Sequence, residues 1–257
     1  MILRLLLLTL VGAAWPAGAE HRLVSIGSRR LSIDCQGPQS RPGTVILLAG
    51  GGRTAKDWEK VQPAVSGIAR VCSYDIAGMG KSDKPTHDQS LDEIVDDLRA
   101  LLKAAGEKPP YVLTGHSIAG LYCRRFATRF PDEVSGLVFV DSSHEEQFAR
   151  LRRIVPDWPP LPLDMRPMFF EKPDQRLQWE TQLPLIVLAH GKPGNRPQRM
   201  TEDQFVAFER VWRELQQDLA KRSPKGRLQV AEESGHFIQT AQPELVIQAI
   251  RDVIGLP

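Results

Sequence analysis

From residue 22 onward the chain alternates short runs of aliphatic and β-branched residues with longer stretches in which apolar side chains return every three or four positions. The short runs lie at 22–26, 31–35, 45–49, 71–74, 111–113, 137–140, 185–188 and 228–230. Strands that are apolar throughout and separated by amphipathic helices predict a mostly parallel central sheet of about eight strands, with helices covering both faces. The first two runs are joined by Gly27-Ser28, which predicts an opening hairpin. The clearest helix is 90–105: Ser90 and Glu93 form a capping box, Leu91, Ile94, Leu98, Leu101 and Leu102 share one face, and Gly106 stops it. A second helix should follow Gly115–Gly120 and run through Phe130 to Pro131, and a last one should span 243–254 with Pro243 in its first turn.

Two regions break this rhythm. Between 142 and 183 prolines crowd in at 156, 159, 160, 162, 167 and 173, among Trp158, Met165, Met168, Phe169, Phe170 and Trp179. Such a stretch predicts a small inserted lid, or else a segment that packs its large side chains on the sheet edge. At the other end, Arg4 precedes an apolar run from Leu5 to Ala14 and then Ala17-Gly18-Ala19. A charge, a run shorter than the roughly 20 residues of a membrane span, and a small-x-small triplet predict a signal peptide at 1–19, cleaved after Ala19. The mature chain is then expected to be exported, periplasmic or secreted, with no stable membrane anchor after processing. The remainder, 20–257, is the right size for a single domain.

Composition narrows the function. The chain is 42% apolar and 25% charged with a formal net charge of +2, and its basic residues fall in scattered pairs such as Arg29-Arg30 and Arg152-Arg153. That is no footprint for nucleic acid, which needs a basic stripe. Neither Cys-x-x-Cys nor His-Glu-x-x-His occurs, so the sequence calls for no metal and no cofactor.

The chemistry concentrates in four places. Gly115-His116-Ser117-Ile118-Ala119-Gly120 lies between a strand and a helix and matches Gly-x-Ser-x-Gly, with Ala119 in place of the second glycine. Small flanking residues at this spacing let a strand turn sharply into a helix and present the serine at the top of the turn. Ala49-Gly50-Gly51-Gly52 follows the third strand, where side-chain-free backbone N–H groups are suited to a developing oxyanion. A phosphate loop is disfavoured there because the Gly-Lys-Ser/Thr ending is missing. Asp75-Ile76-Ala77-Gly78-Met79-Gly80-Lys81-Ser82 supplies tight turns beside the site, with Asp75 structural. His236, in Ser234-Gly235-His236-Phe237, stands between the last strand and the last helix.

Together these motifs resemble the α/β-hydrolase superfamily, and the likeness covers nearly all of the mature chain. The resemblance implies Ser117 as nucleophile, His236 as general base, and the N–H groups of Gly51 and Ile118 as the oxyanion hole. The third member is open. The loop after 184–189, where this fold often carries its acid, reads His190-Gly191-Lys192-Pro193-Gly194-Asn195-Arg196 and holds no carboxylate. Asp141, at the end of the preceding strand, is the candidate acid, with Glu202, Asp203 and Glu233 as fallbacks. His116 is expected to point away from the nucleophile, and His21, His87, His144 and His190 to cap, pack or face water. The strand order usual for the fold places Cys35 near Cys72, so a disulfide is expected there, with Cys123 buried and free.

The expected activity is hydrolysis of carboxylic esters of small molecules carrying an apolar acyl or alcohol group, through an acyl-enzyme on Ser117. Two alternatives remain open: the same residues serving a cofactor-free haloperoxidase-like or lyase reaction, or a binding module on a decayed scaffold. A dehalogenase is disfavoured, since a carboxylate would occupy the place of Ser117.

Overall fold

The computed structural model describes residues 22–39, 43–156 and 179–256. The signal-peptide segment 1–19, His21 and the centre of the expected lid, 157–178 with Trp158, Met165, Met168, Phe169 and Phe170, lie outside the described residues. Eight strands form one sheet: β1 (Arg22–Ser25), β2 (Arg30–Gln36), β3 (Thr44–Leu48), β4 (Arg70–Tyr74), β5 (Tyr111–His116), β6 (Val134–Val140), β7 (Leu185–His190) and β8 (Gly226–Ala231), in the order β1-β2-β4-β3-β5-β6-β7-β8. The β1–β2 and β2–β4 pairs are antiparallel and all others parallel. The expected hairpin is present, with Gly27 at φ 104° in its turn. Cys35 faces Cys72 across the β2–β4 pair, and the two form a disulfide, while Cys123 is free and buried.

Seven helices are described: α1 (Gln62–Ser66), α2 (Leu91–Ala105), α3 (Ala119–Arg129), α4 (Gln147–Ile154), α5 (Glu202–Lys221), α6 (Ile238–Ala241) and α7 (Pro243–Val253). Helix α2 has the expected boundaries. Both bonds of the Ser90/Glu93 capping box form, and Gly106 ends the helix at φ 80°, a left-handed conformation that costs a glycine little. Because β3, β4 and β5 are apolar on both faces, helices must cover both. Leu98, Leu101 and Phe126 from α2 and α3 fill one side with Leu113 and Phe139. Val65 from α1 and Val246 and Ile250 from α7 fill the other with Val45 and Val138.

Two parts of the fold go beyond the local patterns. The 20-residue helix α5 was not anticipated, although Thr201 and Gln204 form a complete capping box ahead of it and Val211, Leu215 and Leu219 recur on its buried face. Of residues 142–183, the described ends pack on the rest of the fold. Residues 147–154 form α4, whose Leu151 packs with Val211 and Leu215 of α5, and Trp179 is buried in the core with its ring 5.9 Å from that of Phe139. For these parts, packing on the sheet and its helices is the better description. Among the described residues no helix is long and apolar enough to cross a membrane.

Candidate active site

In a parallel sheet the carboxyl ends of neighbouring strands open onto one edge, where an α/β protein gathers its ligand-binding loops. Register places four such ends side by side: His116 faces Val140, Val140 faces Leu188, and His190 faces Ala231. Ser117, Asp141, His190 and His236 therefore leave β5, β6, β7 and β8 at the same edge.

The turn after β5 is as tight as its sequence requires. A side-chain carbon on Gly115 would lie 2.7 Å from Cys123 Sγ and 2.8 Å from the Ala119 carbonyl oxygen, and one on Gly120 would lie 2.5 Å from Ser142 Oγ. The glycine that this elbow needs on its helix side is thus Gly120, which touches the β6 end, and the fully buried Ala119 fits where the motif usually has glycine. Ser117 is held at φ 55° by its N–H donating to the Val140 carbonyl (3.0 Å) and its carbonyl accepting from Ser143 N–H (2.9 Å) and Gly120 N–H (3.1 Å). Among the described residues only one other non-glycine residue has a positive φ, Asp141 at 44°. Such conformations cost on the order of 1–3 kcal/mol and persist where the surroundings fix them.

Asp141 is fully buried, with its N–H bonded to the Leu188 carbonyl at 2.7 Å. Its Oδ2 accepts from His236 Nδ1 at 2.6 Å, so Asp141 is the carboxylate that meets the candidate base. Its Oδ1 accepts from Trp212 Nε1 (2.9 Å), His190 N–H (3.1 Å) and His190 Nδ1 (3.0 Å). Burial by itself would raise the Asp141 carboxyl; the hydrogen bonds from His190 and His236, and their charges, outweigh it and hold the group below the usual carboxylate range. The fallback acids sit elsewhere: Glu202 and Asp203 are exposed in the first turn of α5, and Glu233 pairs with Lys192.

The loop after β3 comes up against the nucleophile. A side-chain carbon on Gly50 would lie 3.2 Å from Ser117 Cβ and 2.8 Å from His116 Nδ1, so Gly50 is what permits the close approach, and Gly51 follows it at the exposed rim. Ile118 precedes the first turn of α3, where N–H groups have no partner within the helix. Asp75 ties these loops together, Oδ1 accepting from Ala55 N–H (2.8 Å) and Oδ2 from Lys81 N–H (3.1 Å). It is a structural residue, as its motif suggested.

His116 donates from Nε2 to the carbonyl of His236 (2.9 Å) and lies with its ring 4.7 Å from that of His236. Burial, then the neighbouring His236, lowers its pKa to about 4, which keeps the ring neutral. His87 pairs with Glu93 at the surface and His144 is buried against Asp218, both in supporting positions. His190 packs, one of the expected roles, with its ring stacked on Trp212, but it also lies between Asp141 and Glu209, its Nε2 2.8 Å from Glu209 Oε2. Sequence reading missed His190, Glu209 and Trp212 together, because two of the three stand on the unanticipated helix α5. Its capping box was the available signal, and residues 209 and 212, three apart, share a helix face.

The family model described as the alpha/beta hydrolase fold matches residues 43–179, more than half of the chain. This chain belongs to the α/β-hydrolase family. Among curated proteins, it is 26% identical over 225 residues to uncharacterized protein YqjL of Bacillus subtilis, covering 82% of this chain and 83% of that one. It is also 34% identical over 139 residues to the probable transporter efuK of Hormonema carpetanum, covering 52% of this chain but spanning only 20% of that protein. Among solved structures, a probable hydrolytic enzyme of Pseudomonas aeruginosa shares the fold at a TM-score of 0.70 and 20% identity, over 94% of this chain and 95% of that one. Family and fold together support a hydrolase.

Proposed function

We propose that this protein is an exported serine hydrolase that cleaves carboxylic esters of small, partly apolar molecules through an acyl-enzyme on Ser117. The observation that carries the reading is the 2.6 Å bond between Asp141 Oδ2 and His236 Nδ1, formed beside a serine held at φ 55° at the same sheet edge. A carboxylate on Nδ1 fixes the tautomer that leaves Nε2 free as base.

In this reading Ser117 Oγ attacks the ester carbonyl carbon while its proton passes to His236 Nε2. The carbonyl π pair moves onto oxygen, and the N–H groups of Gly51 and Ile118 serve in this reading as its donors. Collapse expels the alcohol, which takes the proton from His236. Water then repeats the sequence on the acyl-serine, giving the carboxylic acid and free Ser117. Each partial charge has a counterpart: the imidazolium faces buried Asp141, and the oxyanion faces helix and loop N–H groups. Phe237 is 43% exposed and lies with its ring 5.3 Å from that of His236, which favours an apolar group next to the scissile bond. The disulfide between Cys35 and Cys72 agrees with the export grammar of residues 1–19, since such bonds persist in oxidising compartments.

Stopped-flow hydrolysis of p-nitrophenyl acetate, butyrate and octanoate by the mature protein tests the reading. An initial burst of nitrophenol approaching one per protein, lost in Ser117→Ala, is expected. Steady turnover that survives Ser117→Ala would refute it.

A further inference from the structure

At the end of β7, where this fold often carries its acid, the chain has a histidine flanked by two carboxylates. His190 Nδ1 lies 3.0 and 2.9 Å from the two oxygens of Asp141, and its Nε2 lies 2.8 Å from Glu209 Oε2. A carboxylate brings only acceptors, and a neutral imidazole has one N–H and one acceptor nitrogen, so it satisfies one of these partners and repels the other. A ring protonated on both nitrogens satisfies both.

We propose that His190 is a positioning residue: it stands as a doubly protonated cation between Asp141 and Glu209 and clamps the Asp141 carboxylate that meets His236. The hydrogen-bond pattern gives the consequence. Oδ1 takes the His190 backbone N–H and Trp212 Nε1, His190 Nδ1 bridges both oxygens, and the carboxylate so clamped turns Oδ2 to His236. Two further bonds hold the β7 loop to the loop that carries His236, from Gly191 N–H and Lys192 N–H to the Ser234 carbonyl at 3.1 and 3.0 Å. The geometry is self-consistent electrostatically. Burial pushes the His190 imidazole down, but the bonds to Asp141 and then Glu209 reverse this and raise it to about 10. The acid of this site has thus moved to β6, and a cation occupies the place it left.

The groups facing this cluster from each packed element are Asp141 from β6, Glu209 from α5, His236 and, behind it, neutral His116 from β5; Arg53, paired with Asp57, reaches the far side of Phe237. Of these cations and anions, His190 is the positive charge shared with Asp141. Removing it leaves His236 beside a carboxylate no longer offset, so His236 should become easier to protonate.

The role assigned to His190 in catalysis rests on the serine-hydrolase reading, whereas its charge state does not, and the test separates them. In nitrogen-15 spectra of the intact protein at pH 8, His190 should show two protonated ring nitrogens, and His190→Gln should lose that signal. The pH at which the His236 ring signals change in the same spectra should move up in His190→Gln, and back in His190→Lys. The acid limb of kcat/KM should move with it, with kcat falling more than KM rises. A neutral His190 at pH 8, or a His236 titration unmoved in His190→Gln, would overturn the proposal. These spectra need no turnover, so a protein whose Ser117 proved unreactive but whose His190 was doubly protonated would lose the hydrolase reading and keep the charge assignment.

Discussion

The charged His190 should be visible in folding stability before any substrate is found. In the unfolded chain its imidazole returns to an ordinary value near 6.5, whereas in the fold it is raised to about 10. A pKa raised on folding stabilises fully below the unfolded value, and that contribution is lost as pH rises through the folded one. Between pH 6.5 and 8.5 the native state keeps a proton that the unfolded chain releases, so stability falls by up to about 1.4 kcal/mol per pH unit, or about 2 kcal/mol over the window. Cys123, whose thiol burial pushes up, acts with the same sign only above about pH 8.5. The informative quantity is therefore the difference between wild type and His190→Gln, from urea unfolding at pH 6.5, 7.5 and 8.5 with fluorescence detection. The wild-type slope should exceed that of the variant by about 1 kcal/mol per unit. Parallel slopes would refute the charged ring, whatever the absolute stabilities.

Three further outcomes follow from the packing of the site. Trp212→Phe removes the Nε1 donor from buried Asp141 Oδ1 and should cost about 1.5–3 kcal/mol in unfolding free energy, with a loss of activity larger than the change in KM. Gly120→Ala drives a carbon to 2.5 Å from Ser142 Oγ, next to Asp141, and should cost about 1–3 kcal/mol and most of the activity, read by denaturation and ester turnover. Replacing Cys35 and Cys72 together by serine opens a link across 37 residues and should lower stability by about 3–4 kcal/mol in chemical denaturation, while leaving the reactivity of Ser117 unchanged in the folded protein.

The parts of this molecule that were legible in its sequence are those fixed by local chemistry. Helix α2 could be bounded because Ser90, Glu93 and Gly106 act within one turn of its ends. The elbow could be found because Gly115 and Gly120 answer to close contacts four or eight residues along the chain or at the adjoining strand end. Asp141 was a candidate because the loop after β7 offers no carboxylate and the resemblance allows an acid at the preceding strand end; it is bonded to His236 Nδ1, and its chemical role is left to experiment. What was not legible is long in range. His190 meets Asp141 only because β6 and β7 are paired in register, and Glu209 and Trp212 join them only because α5 folds back over that sheet edge. No short motif encodes such a meeting. For the proline-rich 142–183 the composition left a lid and packing on the sheet open together; at its described ends Leu151 and Trp179 pack against partners far along the chain, which composition alone does not name.

The central claim is that Ser117 is an activated nucleophile served by His236 and Asp141. A fluorophosphonate probe reads this directly, because it phosphonylates a serine only where a base and an oxyanion site assist it. The account predicts stoichiometric labelling of the mature protein, mapped to Ser117 by peptide mass spectrometry, abolished in Ser117→Ala and slowed at least a hundredfold in Asp141→Asn. Folded wild-type protein that takes up no probe, or labelling unaffected by Ser117→Ala, would contradict it.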